Sequence, residues 1–296
     1  MSASDRPGPA AAHRSRWRRT VRKRWANWAA VIILLPLAAV WVLPLVLMIS
    51  TSLKDQAQVF EPSRLVPDPV LWSNYPRALF GFLPFPTFFK NSFIISIAVV
   101  IGDVLSASFV AYGFARLRFP GRDVLFLVLL STMMIPFAVR MIPLFLVFKQ
   151  LNWINTFYPL TVPSFFGTPL FVFLMRQFYL GIPQELTDVA RVDGANELRI
   201  WWSVMLPLTR PAMAVVAILA FQQSWNDFLA PLIYLNKPDM FTATLGLYTL
   251  IGGLDAVQPW QLLMAATLVT LLPVLILFFT AQRYFIQGVS VSGVKG

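Results

Sequence analysis

Few residues in this 296-residue chain are equipped for chemistry. There is no cysteine, which removes disulfides, thiolate metal sites and thiol catalysis. The single histidine, His13, lies in a polar N-terminal tail, where neither a metal nor an acid–base role is expected. Two groups of residues remain. Asp103, Arg140 and Asp227 each interrupt a long apolar run. Ionisable groups in such runs are costly and are functional candidates by default. They suit either a structural ion pair, with Asp103 or Asp227 neutralising Arg140, or the wall of a polar path. The second group is the stretch "ELTDVARVDGANELRIWWSVMLPL", Glu185 to Leu208, which places six charged residues between two apolar runs.

The surroundings of these residues say what solvent they work in. The chain is 57% hydrophobic and 12% charged, with a mean hydropathy of +0.67. Soluble domains carry about 25% charge. A value half as large, with apolar runs long enough to cross a bilayer, indicates a polytopic membrane protein. The net charge of +11 does not point to nucleic acid, because the basic residues flank apolar runs instead of forming one face. The tail "RSRWRRTVRKR" (Arg14–Arg24) holds seven basic residues and no acid, and Trp25 to Leu53 then has no charge over 29 residues. A signal peptide's apolar core spans about 7–15 residues, so this run is read as a retained membrane helix.

Six segments reach the length of about 20 apolar residues needed to span, near 27–50, 91–115, 124–148, 156–178, 209–234 and 261–282. Helices are expected, because an open strand leaves backbone groups unsatisfied in lipid. The fold class is therefore an all-α integral membrane protein with six transmembrane helices. A basic cytoplasmic tail (1–26) precedes a single transmembrane domain (27–296). Lys/Arg placement sets the orientation. The basic tail and the loop "ARLRFPGRD" (Ala115–Asp123) fall inside, the loops near 51–90, 149–155 and 235–260 fall outside, and both termini are cytoplasmic. The charged stretch then lies in the largest cytoplasmic loop, 179–208, between the fourth and fifth crossings.

That loop reads as a short helix, a tight turn and a second short helix. Pro183 suits a first helical turn. Ile182, Leu186, Val189 and Ala190 share one helical face. Glu185 and Asp188 lie early and Arg191 late, as the helix dipole favours. Gly194 is placed to end the helix in a left-handed turn, and Leu206-Pro207 is expected to stop the second helix. An interfacial helix resting on lipid headgroups is usually rich in Lys/Arg. Glu185 and Asp188 would face an anionic leaflet unfavourably, so a docking surface for a protein is the better reading.

The same stretch resembles the EAA motif of ABC-importer permeases: E-A-A, three residues, Gly, nine residues, I-x-L-P. Here it runs Asp188-Val189-Ala190, Gly194, then Val204-Met205-Leu206-Pro207, with matching spacing and conservative changes at Asp188, Val189 and Val204. "AYGFARLRFPGR" (Ala111–Arg122), "SWNDFLAPLIYL" (Ser224–Leu235) and "QRYFIQGVSVSGVKG" (Gln282–Gly296) resemble the carbohydrate branch of that family, the maltose-type permease with six crossings. The resemblance implies a sugar importer of the inner membrane. Its expected partners are a second permease subunit, two cytoplasmic ATP-binding subunits and an extracytoplasmic solute-binding protein. It also implies that Glu185, Asp188, Val189, Ala190, Arg191, Gly194, Leu206 and Pro207 form the element that seats on an ATPase subunit. The chain has no G-x-x-x-x-G-K-[ST] phosphate loop, in keeping with ATP hydrolysis elsewhere. No cofactor is expected, and the substrate residues are unassigned. Trp225 is a candidate to stack on a sugar ring, against the simpler role of packing. The rival reading is an ion-coupled secondary transporter with Asp103, Arg140 and Asp227 as relay groups. Such transporters often show internal repeats, and none is visible here.

Overall fold

The computed structural model describes residues 9–61, 64–81, 84–251 and 259–292, the side chains of 9–29 and 282–292 excepted. The basic side chains of the tail and the side chains of Gln282–Gly296 thus lie outside the described residues. Every regular element among the described residues is helical. The principal helices are α1 (Pro9–Ser52), α2 (Phe85–Arg116), α3 (Arg122–Ser131), α4 (Phe137–Gln150), α5 (Pro169–Leu180), α6 (Glu185–Val192), α7 (Glu197–Ile200), α8 (Arg210–Trp225), α9 (Leu229–Tyr234), α10 (Ala243–Thr249) and α11 (Trp260–Ser292).

Four helical stretches are long and apolar enough to cross a membrane: Ala30–Ser52, Phe85–Arg116, Tyr158–Leu180 and Trp260–Ala281. Two bent pairs raise the total to six if each is one span. Arg122–Met134 meets Phe137–Gln150 at 100°, and Glu197–Leu208 meets Arg210–Trp225 at 82°. The segment expected as a straight helix over 124–148 is therefore broken. Pro136 is the reason: it lacks an N–H, and it holds Ile135 in an extended conformation. The segment expected over 209–234 is likewise interrupted after Trp225 and resumes at Leu229.

α2 is the central helix and packs along α5 and α8, while α1 leans on α11. Small residues allow the close approach. Ala107 and Ala111 of α2 share a fully buried core with Ala212, Val216 and Ala220 of α8 and with Phe171, Val172, Met175 and Tyr179 of α5. Membrane helix interfaces are commonly built this way, since lipid supplies no hydrophobic drive between helices. A second core joins Phe85 and Phe88 to Ala243, Leu250 and Ala265–Ala266. Gly102 marks a tight contact of α2: a Cβ there would overlap the Ser164 hydroxyl and the Phe165 ring.

Candidate functional site

The first candidate site is the loop 181–208. α6 begins at Glu185, with Pro183 ahead of it and not within its first turn. It ends on Gly194, whose φ is +80°. The Ala195 N–H donates to the Ala190 carbonyl and the Gly194 N–H to the Arg191 carbonyl, both at 3.0 Å. This is a Schellman ending, which satisfies carbonyls the helix leaves free. Nothing lies within 4 Å of a Cβ built on Gly194, so the conformation alone calls for glycine. Asn196 then caps α7 by accepting from the Arg199 N–H at 2.9 Å.

Leu206-Pro207 does not stop the second helix. α7 widens into a π turn, Trp201–Met205, and continues through Leu206–Leu208 before the bend at Thr209. The wider turn leaves room for the Pro207 ring, which in a regular helix would press on the carbonyl four residues back. Leu206 is buried and Pro207 exposed.

Arg191 is the hub of the loop. Its Nη1 donates to Asp188 Oδ1 at 2.7 Å, and its Nε and Nη2 donate to the two Glu197 oxygens at 2.8 and 3.3 Å. Glu197 also accepts from the Tyr112 hydroxyl, on the lower turns of α2. One arginine therefore ties α6 to α7, and one tyrosine ties both to the central helix. Arg191 holds the Glu197 carboxyl below its ordinary pKa, and Glu197 in turn raises that of Arg191. At the start of the loop Arg116 Nη2 donates to the Tyr179 and Ile182 carbonyls at 2.5 and 2.6 Å. Sequence reasoning missed Tyr112, Arg116 and Glu197 as parts of this site. Only their charge or hydroxyl marked them, because their partners lie up to 85 residues away.

The expected apolar face divides. Ile182 and Ala190 pack against the core. Leu186, Val189 and Val192 are 45%, 61% and 87% exposed, and Glu185 and Asp188 are exposed beside them.

The second candidate site is a cavity of about 490 Å³ whose lining includes Asp103, Arg140 and Asp227 together. The expected ion pair is not formed: among the described residues Arg140 has neither a carboxylate within 4.0 Å nor a hydrogen bond. Asp103 is buried and accepts from the Thr168 hydroxyl at 2.5 Å. Asp227 accepts from the Ala230 N–H, in the first turn of α9, at 3.3 Å. Trp225 proves to be a packing residue. It is buried among Phe89, Phe93 and Phe221, and its indole N–H donates to the Thr270 carbonyl at 3.1 Å.

This all-helical architecture, with its capped loop and its broken helices, has a match among known families. Residues 103–291 match the model of the binding-protein-dependent transport system inner membrane component. The chain belongs to this family. It is a permease subunit of the ABC-importer type; in such systems separate ATPase subunits hydrolyse the ATP. Similar proteins include the arabinooligosaccharides transport system permease protein AraQ of Halalkalibacterium halodurans, 38% identical over 91% of this chain and 97% of that one. AraQ of Bacillus subtilis is 34% identical over 90% and 95%. The sn-glycerol-3-phosphate transport system permease protein UgpE of Yersinia pestis is 32% identical over 79% and 85%. In fold the chain is similar to a chain in the crystal structure of a bacterial ABC transporter involved in the import of the acidic polysaccharide alginate. That match has a TM-score of 0.79 at 24% identity and covers 89% of this permease and 98% of the other chain.

Proposed function

We propose that this permease forms half of the translocation path of an ATP-driven importer for a sugar or sugar-like solute. Its partners are a second permease subunit, two cytoplasmic ATP-binding subunits and an extracytoplasmic solute-binding protein. Six crossings place both termini and the loop 181–208 in the cytoplasm. In that loop Glu185, Asp188, Val189, Ala190, Arg191, Gly194, Leu206 and Pro207 build the element that seats on an ATPase subunit.

The observation that carries the reading is the outer face of α6. Leu186, Val189 and Val192 are exposed side by side, on a helix that Arg191, Glu197 and Tyr112 tie to the central membrane helix. An apolar strip rimmed by Glu185 and Asp188 suits a protein surface better than an anionic leaflet. A push on α6 has a direct route to α2 through these hydrogen bonds. The similarity to AraQ, a permease protein of arabinooligosaccharides transport systems, favours an oligosaccharide as the solute. The relay reading finds less support, since Asp103 and Asp227 hydrogen-bond to Thr168 and Ala230 and not to Arg140.

Two variants test the coupling role. Gly194→Val forces a β-branched residue into the left-handed region, at about 1–2 kcal/mol, and so misplaces the ending of α6. Asp188→Lys removes the 2.7 Å partner of Arg191 and reverses a charge on the docking face. Both should insert at normal levels yet lose ATPase association or solute-stimulated ATP hydrolysis. Normal transport by both in reconstituted vesicles would reduce the loop to a connector.

A further inference from the structure

The cavity holds polar groups that neither the packing of the helices nor the coupling loop uses. Three helix interruptions border it: Thr132, Met133 and Arg140 line it from either side of the Ile135-Pro136 break between α3 and α4, Gly167-Thr168 lines it before α5, and Asp227 lines it from the break between α8 and α9. Inside a bilayer, backbone that leaves the helical pattern is tolerated only when buried in protein or lining a cavity. Secondary transporters build their solute sites near the bilayer midplane from broken helices in the same way. The volume of about 490 Å³ falls within the range of small-molecule sites, about 300–1,000 Å³.

We infer that this cavity is a subsite for one glycosyl unit of a neutral oligosaccharide, held by Asp103, Arg140 and Asp227 at its hydroxyls and by Phe166 at its C–H face. This rests on the sugar-import reading and narrows it. An ionised carboxylate offers about four acceptor positions. Asp103 has one side-chain donor, Thr168, and Asp227 has the Ala230 N–H, so both keep acceptor capacity for hydroxyl groups. Arg140 has five N–H donors, and no described residue takes any of them. Gln223 adds both a donor and an acceptor to the same lining. Phe166, an exposed residue, lines the cavity and offers an apolar ring of the kind that meets the C–H face of a sugar. Charge decides between a neutral and an acidic solute. Two carboxylates stand against one guanidinium, so a phosphate or uronate would bring a third negative charge to a site with a single cation, and like-charge juxtaposition is strongly unfavourable.

The absence of cysteine makes a single introduced thiol unique in the chain. Phe166→Cys and Thr132→Cys place one on the cavity lining. Each is assembled with its partner permease, ATPase subunits and binding protein in proteoliposomes and treated with a methanethiosulfonate reagent during ATP-driven turnover. The solutes are arabinotriose, maltotriose, sn-glycerol 3-phosphate and an alginate trisaccharide, with uptake measured for each by the unsubstituted chain. At least one neutral trisaccharide should be imported and should slow modification of at least one of the two thiols fivefold or more, whereas neither acidic solute should do either. If a neutral trisaccharide is imported and both thiols react at unchanged rates, the subsite is wrong and the import reading stands. Import of, and protection by, an acidic solute overturns the assignment to neutral sugars. Import of none of the four overturns the sugar-import reading, and this inference with it.

Discussion

Arg191 shows how few side chains hold the loop 181–208 to the central helix. The Arg191–Asp188 pair is a half-exposed i,i+3 contact, worth only about 0.2–0.5 kcal/mol by itself. Its value lies in the chain that continues through Glu197 to Tyr112. Tyr112→Phe removes one hydroxyl and keeps the ring packed against Tyr179. Hydrogen bonds to charged groups contribute about 1.5–3 kcal/mol. The expected result is that amides of 185–199 exchange roughly ten- to a hundredfold faster while those of α5 stay protected. Unchanged exchange in the loop would show that Arg191 alone holds it. The same chain carries a pH dependence. Glu197 has a depressed pKa in the folded protein because of Arg191, so its contribution is complete above the ordinary glutamate value of about 4.3. That contribution fades as pH falls through the lower folded value. Loop protection should thus weaken only under acid conditions, and Glu197→Gln should abolish that weakening.

At the level of the elements, close helix packing and broken helices divide the work. α2 is unbroken over Phe85–Arg116 and gives the others a rail. Gly102 faces the turn Val162–Phe166 at close range. Gly102→Ala should overpack this contact, at about 1–3 kcal/mol, and lower the unfolding temperature in detergent. A Gly102→Ala, Ser164→Gly pair should recover part of the loss, since the Ser164 hydroxyl is one of the two groups the new Cβ would meet. The four long apolar stretches were legible in the sequence because length and apolarity alone define them. The break in the third was not read, although Pro136 is visible, because neighbouring helices can satisfy the groups a proline frees and hydropathy does not register a bend. Gly194 was legible because a left-handed helix ending has a residue signature. The continuation of α7 past Pro207 was not, because a π turn has none. Asp103, Arg140 and Asp227 stood out by charge alone, yet that they would share a cavity without pairing depends on where three loops meet.

For the whole molecule, the question is which side of the membrane the exposed strip on α6 faces, and what covers it there. The orientation proposed from Lys/Arg asymmetry has residues 181–208 inside and 51–90 outside. Val192 is 87% exposed in the first region and Val66 is 77% exposed in the second, and neither makes a side-chain hydrogen bond to lose. With no other thiol in the chain, Val192→Cys and Val66→Cys report on single positions. In intact cells from which any outer membrane has been removed, an impermeant maleimide should label Val66→Cys and leave Val192→Cys untouched. In inside-out vesicles the pattern should reverse. Stripping the ATPase subunits from those vesicles should then speed labelling of Val192→Cys severalfold, and adding them back should slow it, because an apolar strip beside Glu185 and Asp188 is buried when its partner docks. Labelling of Val192→Cys from outside would invert the topology. Labelling from inside at a rate indifferent to the ATPase subunits would keep the topology and remove α6 from the contact.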